Sequence, residues 1–225
     1  MDEKNKMQKL AGLEDKELSI IEIISNYELL SKALKYIISN STSNYAPYHN
    51  LNHILTVTRH VYYGLKTEGL LDGKNGPLSL VSAMFHDFNH SEGKNKDDKN
   101  VADAKEGVRK FAKENNITES DLEFIDKMLD ATQYPYIIEN KDLNKYQAII
   151  RDADIMQLLE YNWLQQTILG LSKELGLSVE DFLKGQKKFM DSVEFISDYG
   201  KKMKKEKWAQ IEKEVELLEK ILKSD

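Results

Sequence analysis

The 225-residue sequence contains no cysteine, which excludes a disulfide framework and a thiolate metal site. Proline is scarce: the three, at positions 47, 77 and 135, each sit where a connection between elements is expected. No apolar run approaches the ~20 residues that a membrane-spanning helix needs. No run of four or more residues alternates as a half-buried strand does, and no repeat or low-complexity segment interrupts the chain. Positive charge is not in excess. Lys and Arg total 32 against 38 Asp and Glu, for a net charge of −6. That argues against a generic grip on nucleic-acid backbone and leaves a small phosphorylated substrate open. The opening residues, Met1 to Lys6, are polar and lack the apolar core of a signal peptide. Together these absences predict a soluble, cytoplasmic chain without a membrane partner.

What remains is ordinary globular material, with 40% hydrophobic and 31% charged residues, enough to bury a sizeable core in one domain. Apolar residues recur at helical spacing over 16–38, 50–66, 78–88, 97–113, 142–160 and 201–223. Gly73 to Pro77 reads as a turn. Thr118 with Asp121 resembles a capping box opening a helix to Thr132, and Tyr134-Pro135-Tyr136 ends it. Ser178, ahead of Glu180 and Asp181, caps a further helix that ends before Gly200. The pattern predicts a single all-α domain over residues 1–225, with a core at about 45–160 and C-terminal helices over 161–225.

All five histidines fall between positions 49 and 90. Imidazole is the commonest side-chain metal ligand and the acid–base group that titrates near neutrality, so this crowding points to one metal-dependent active site. His49 and His53 are four apart and share a helix face if the helix begins at or before Asn50. Separate tasks suit them best, one imidazole on metal and one moving protons. His86 and Asp87 lie among Leu80, Val81, Ala83, Met84, Phe85 and Phe88, where an unpaired aspartate would be costly. Asp152 and Asp154, flanked by Ile149, Ile150, Ile155 and Met156, offer the further anion a divalent ion needs. His60 lies outside these patterns and reads as a packed histidine. Trp163 and Trp208 read as core, and Tyr134 and Tyr136 either stack on a base or plug a helix end.

His53, His86-Asp87 and Asp154 resemble the H…HD…D signature of the HD-domain superfamily of metal-dependent phosphohydrolases, over roughly residues 45–160. Tyr48-His49-Asn50, with His53 and then His86-Asp87-x-x-His90, is similar to the core of class I cyclic-nucleotide phosphodiesterases. It is also similar to small HD proteins that read Tyr-His-Asn, Phe-His-Asp and Asp-Ala-Asp. The resemblance implies an HD-type helical bundle with His53, His86, Asp87 and Asp154 as metal ligands, Asp87 able to bridge two ions. Asp152 is the fallback to Asp154. One or two divalent ions (Zn, Mn, Mg, Fe or Co) would be the cofactor, generating a hydroxide nucleophile. His49 would be the general acid, and His90 would bond to metal-bound water or to other ligands.

The sequence also departs from those phosphodiesterases. It is shorter, Asn89 replaces an acidic residue, and Ser91-Glu92-Gly93 replaces Pro-Gly. Their base-clamping glutamine has no evident counterpart; Gln157, three residues after Asp154, is the candidate base contact. Asp97 and Asp98 fall where small HD proteins aim an acidic group at the attacking water. Arg151 would touch phosphate or form a salt bridge. The expected function is hydrolysis of a cyclic or linear nucleotide phosphodiester. The alternatives are a phosphomonoester or (d)NTP hydrolase of the same fold and a catalytically silent nucleotide-binding module.

Overall fold

A computed structural model describes residues 17–223. The fold is all-α, and no strand occurs among the described residues. The polar opening Met1 to Lys6 lies outside them. No helix of the described residues is long and apolar enough to cross a membrane.

The helical run expected over 16–38 is two helices, α1 (Ile20–Ser25) and α2 (Glu28–Asn40). Extended backbone at Tyr27 (φ −127°) separates them, while the apolar period runs on across the break. Ser19 caps α1 through a reciprocal box with Glu22. Helix α3 (Leu51–Thr67) is capped by Asn50, whose side chain accepts the His53 N–H at 3.1 Å. Helix α4 (Asn75–Phe85) begins inside the segment expected to be a turn. Pro77 is tolerated in its first turn because the N–H it lacks would have no intrahelical partner there. Helices α5 (Asp97–Ala112) and α6 (Glu119–Asp130) follow, α6 opened by both bonds of the Thr118–Asp121 box. Helix α7 (Lys145–Ile155) is shorter than expected and tightens into a 3₁₀ turn at Met156–Leu159. Residues 164–171 wind as a π-helix, and a single turn, Ser172–Glu174, extends them. Helix α8 (Val179–Ser192) carries the expected Ser178 cap but ends well before Gly200. Gly200 instead lies in the first turn of α9 (Asp198–Lys223).

Two hydrophobic clusters result. The first runs from Ile23 to Ala153 and is centred on α3, which packs against α4 and α7. The second runs from Met156 to Val215 and joins the 156–171 segment to α8 and α9. Residues such as Leu80, Met84 and Phe85 in the first are fully buried, each contributing roughly 1.5–3 kcal/mol of apolar transfer. The clusters divide between Ala153 and Met156, so Asp154 sits at the seam.

Candidate metal centre

Four side chains from three helices converge at that seam. His53 projects from the first turn of α3, fully buried. His86 caps the C-terminal end of α4, and Asp87 follows it. Asp154 comes from the last turn of α7. The Nε2 atoms of His53 and His86 face one another at 3.3 Å. Asp154 Oδ1 lies 3.0 Å from His53 Nε2 and 3.4 Å from His86 Nε2. Asp87 Oδ2 lies 3.3 Å and 3.1 Å from the same two nitrogens. His86 Nδ1 donates to the Ala83 carbonyl at 2.8 Å, so Nδ1 carries a proton and Nε2 faces inward.

Hydrogen bonding does not satisfy this arrangement. Asp87 Oδ2 and His53 Nδ1 are buried without a hydrogen-bond partner among the described residues. Facing imidazole nitrogens and a pair of carboxylates suit a shared cation, and His53, His86 and Asp154 are close enough to hold a metal ion. Burial opposes ionisation of Asp87, but the His86 and His49 imidazoles outweigh it and hold the carboxyl well below the usual range. Asp154 is likewise held low: burial is outweighed by its contacts with His53 and His86. Both carboxylates are therefore charged and ready to ligate.

A second constellation adjoins the first. His49 precedes α3, so the shared-helix-face geometry expected for His49 and His53 does not hold. Glu174 fixes His49 instead. Its Oε2 accepts the backbone N–H groups of Tyr48 and His49 at 3.0 and 3.2 Å, and its Oε1 bonds His49 Nδ1. The His49 ring then stands edge-on to His53, with centroids 5.9 Å apart, and stacks on His90 at 3.6 Å. Burial disfavours a charged His49, but the carboxylates of Asp87 and Glu174 outweigh it and raise its pKa above the ordinary value. Asn89 turns the chain toward His90 through a left-handed backbone (φ 61°) that asparagine tolerates. Asn100 Nδ2 donates to His90 Nε2 at 2.8 Å. His49, His90 and Glu174 form another group close enough to hold an ion.

These groups open onto a cavity of about 560 Å³ whose far wall includes Leu158, Phe182 and Phe189. That size suits a small ligand. Gln186 on α8 also lines it, nearly fully buried, with its amide nitrogen unpartnered among the described residues.

Three sequence expectations are corrected. Arg151 is 1% exposed and does not line the cavity; it donates to the carbonyls of Ala131 and Ile138 and to Asn140 Oδ1, so it secures a loop. Gln157 is fully buried, donates to Asn162 Oδ1 and does not line the cavity. Asp98 is exposed and accepts from the neighbouring Lys99 N–H, while Asp97 beside it lines the cavity. Asp152, the fallback ligand, faces the opposite way, since two helical residues turn about 200°. Its carboxylate accepts from Ile196 N–H at 3.0 Å and from Ser197 N–H and Oγ–H at 2.7 and 2.6 Å. A side chain on Gly200 would collide with it. Burial pushes the Asp152 carboxyl up to about 6.

Glu174 and Gln186 were not found from sequence. Each lies in a segment without a motif, and only the folding of the second cluster against the first brings them to the site. No family model matches the chain, and no curated protein matches it.

Proposed function

We propose that this protein is a metal-dependent phosphohydrolase of the HD type, acting as a phosphodiesterase on a cyclic or linear nucleotide. One observation carries the reading: two imidazole Nε2 atoms and two carboxylate oxygens, from residues as far as 101 apart in sequence, lie within 3.4 Å across each imidazole–carboxylate pair. Imidazole nitrogens and negative charge aimed at one buried point suit a cation. His53, His86, Asp87 and Asp154 would hold a divalent ion, which would supply a Lewis acid for the phosphoryl oxygens and a lowered pKa for water.

The chain's own residues supply the rest. His49, whose protonated form is favoured by its carboxylate neighbours, donates a proton to the leaving alkoxide oxygen. Glu174 holds Nδ1, so the proton available for transfer is the one on Nε2. His90 braces the His49 ring by stacking on it and is itself fixed by Asn100. Two backbone donors already occupy Glu174, which suits orienting His49 better than ligating an ion. In the cavity, the apolar surface of Phe182 and Phe189 suits a planar heterocycle, and the free Gln186 amide suits an acceptor on its edge.

The test is a panel of 3′,5′-cyclic nucleotides, dinucleotides and dNTPs, assayed with divalent metal for the wild type and His49→Ala. Phosphodiester hydrolysis that His49→Ala abolishes, with metal content retained, supports the reading. Phosphomonoester or dNTP hydrolysis that persists in His49→Ala would favour the alternative hydrolase. Absence of turnover across the whole panel would overturn it.

A further inference from the structure

We propose that Tyr134 and Tyr136 form an aromatic wall that selects substrates carrying a planar ring, and that Arg151 is the positioning residue that sets this wall from behind. The inference rests on the phosphohydrolase reading for the identity of the ligand, and it adds a specificity element to that site.

Both tyrosines line the same cavity as His49 and Asp154, in the irregular segment between α6 and α7. Unlike Phe182 and Phe189, they belong to neither hydrophobic cluster: Tyr134 is 57% exposed and Tyr136 38%. Large aromatic rings left facing a cavity are a ready surface for another ring. They contact each other edge to face, with centroids 5.5 Å apart and planes at 87°.

The segment bearing them is held at several points. Asp97 Oδ2 accepts the Tyr134 N–H at 2.6 Å. Arg151 bonds the Ala131 carbonyl on one side of the pair at 2.9 Å. On the other side it bonds the Ile138 carbonyl and Asn140 Oδ1 at 2.9 and 3.0 Å. Its guanidinium carbon also lies 4.1 Å from the centre of the Tyr136 ring. One buried cation thus ties both ends of the segment and backs one of its rings, so the wall is formed before ligand arrives and costs little ordering on binding. Phe182 and Phe189 face the same cavity from α8. A ring entering there meets aromatic surface from two separate segments.

The experiment measures equilibrium binding of the four nucleoside 5′-monophosphates and of ribose 5-phosphate, by calorimetry with divalent metal present. Wild type is expected to favour the best nucleotide over the base-free sugar phosphate by about tenfold to a hundredfold, the range that base–aromatic stacking gives. Tyr134→Ala combined with Tyr136→Leu should abolish most of that preference while leaving ribose 5-phosphate binding and metal content unchanged. Arg151→Met should lose the preference as well, and Arg151→Lys should recover part of it. A role for Arg151 in stability alone would shift the thermal midpoint without moving the ratio. An unchanged ratio in the double tyrosine variant, or no preference in wild type, would overturn the inference. Discrimination without turnover of any substrate would overturn the phosphohydrolase reading and leave the wall standing.

Discussion

Helix α3 buries two histidines about two turns apart, and their surroundings are opposite in kind. His60 sits in a closed circuit: Nδ1 meets the Tyr199 hydroxyl at 3.0 Å and Nε2 meets Glu160 at 3.0 Å. Arg59 in turn bonds Glu160 at 2.6 Å. Burial lowers the His60 pKa despite Glu160, so the ring is held neutral. His53 has Nε2 directed at another imidazole and two carboxylates, and its Nδ1 has no partner among the described residues. The same pair of regions contrasts the two aspartates of α7, since Asp152 is saturated by donors from 196–197 while Asp154 looks into the cavity. Burial alone marks a polar group as structural. Convergence that hydrogen bonds cannot satisfy marks a site.

The sharpest way to break this contrast is to remove one aspartate of each kind. Asp154→Asn should lower turnover by about 10²-fold or more and release metal, with little change in unfolding. Asp152→Ala should retain metal but cost roughly 2–4 kcal/mol in denaturant unfolding, because the Ile196 and Ser197 N–H groups lose their acceptor. Equal metal loss in both variants would erase the distinction. Next in size, His49→Ala should lower kcat by about 10²- to 10⁴-fold without metal loss, as expected for a missing general acid.

Glu174→Gln should act on pH dependence. A general acid works only while protonated, so activity falls as pH rises past the His49 pKa. Glu174, together with Asp87, raises that pKa against burial, so the glutamine variant should lose activity at lower pH than wild type. An alkaline limb that stays in place would contradict the orienting role. The smallest effect on turnover belongs to the closed circuit: His60→Ala should leave activity near wild type while costing about 1–3 kcal/mol of stability for the stranded partners.

Local signals survived the passage from sequence to structure. The Thr118 box and the Ser178 cap open helices where expected, because each depends only on residues three apart. The Asn26–Tyr27 break leaves no mark in the sequence, since apolar periodicity continues through it. Pro77 reads as part of a turn because helix starts and turns favour the same residue. The His-Asp core was legible because its members sit in short motifs, and helical geometry leaves room for only one of Asp152 and Asp154 at the seam. Which one required the fold. Glu174, Gln186 and the task of Arg151 required it too, since their partners are distant in sequence or belong to an irregular loop.

The most direct test is elemental analysis of bound divalent metal after dialysis, comparing wild type with Asp87→Ala and His60→Ala. The expected result is metal retained by wild type and by His60→Ala and lost from Asp87→Ala, with all three folded by circular dichroism. Metal content unchanged in Asp87→Ala, or no metal taken up by wild type, would contradict the claim that these converging imidazoles and carboxylates hold an ion.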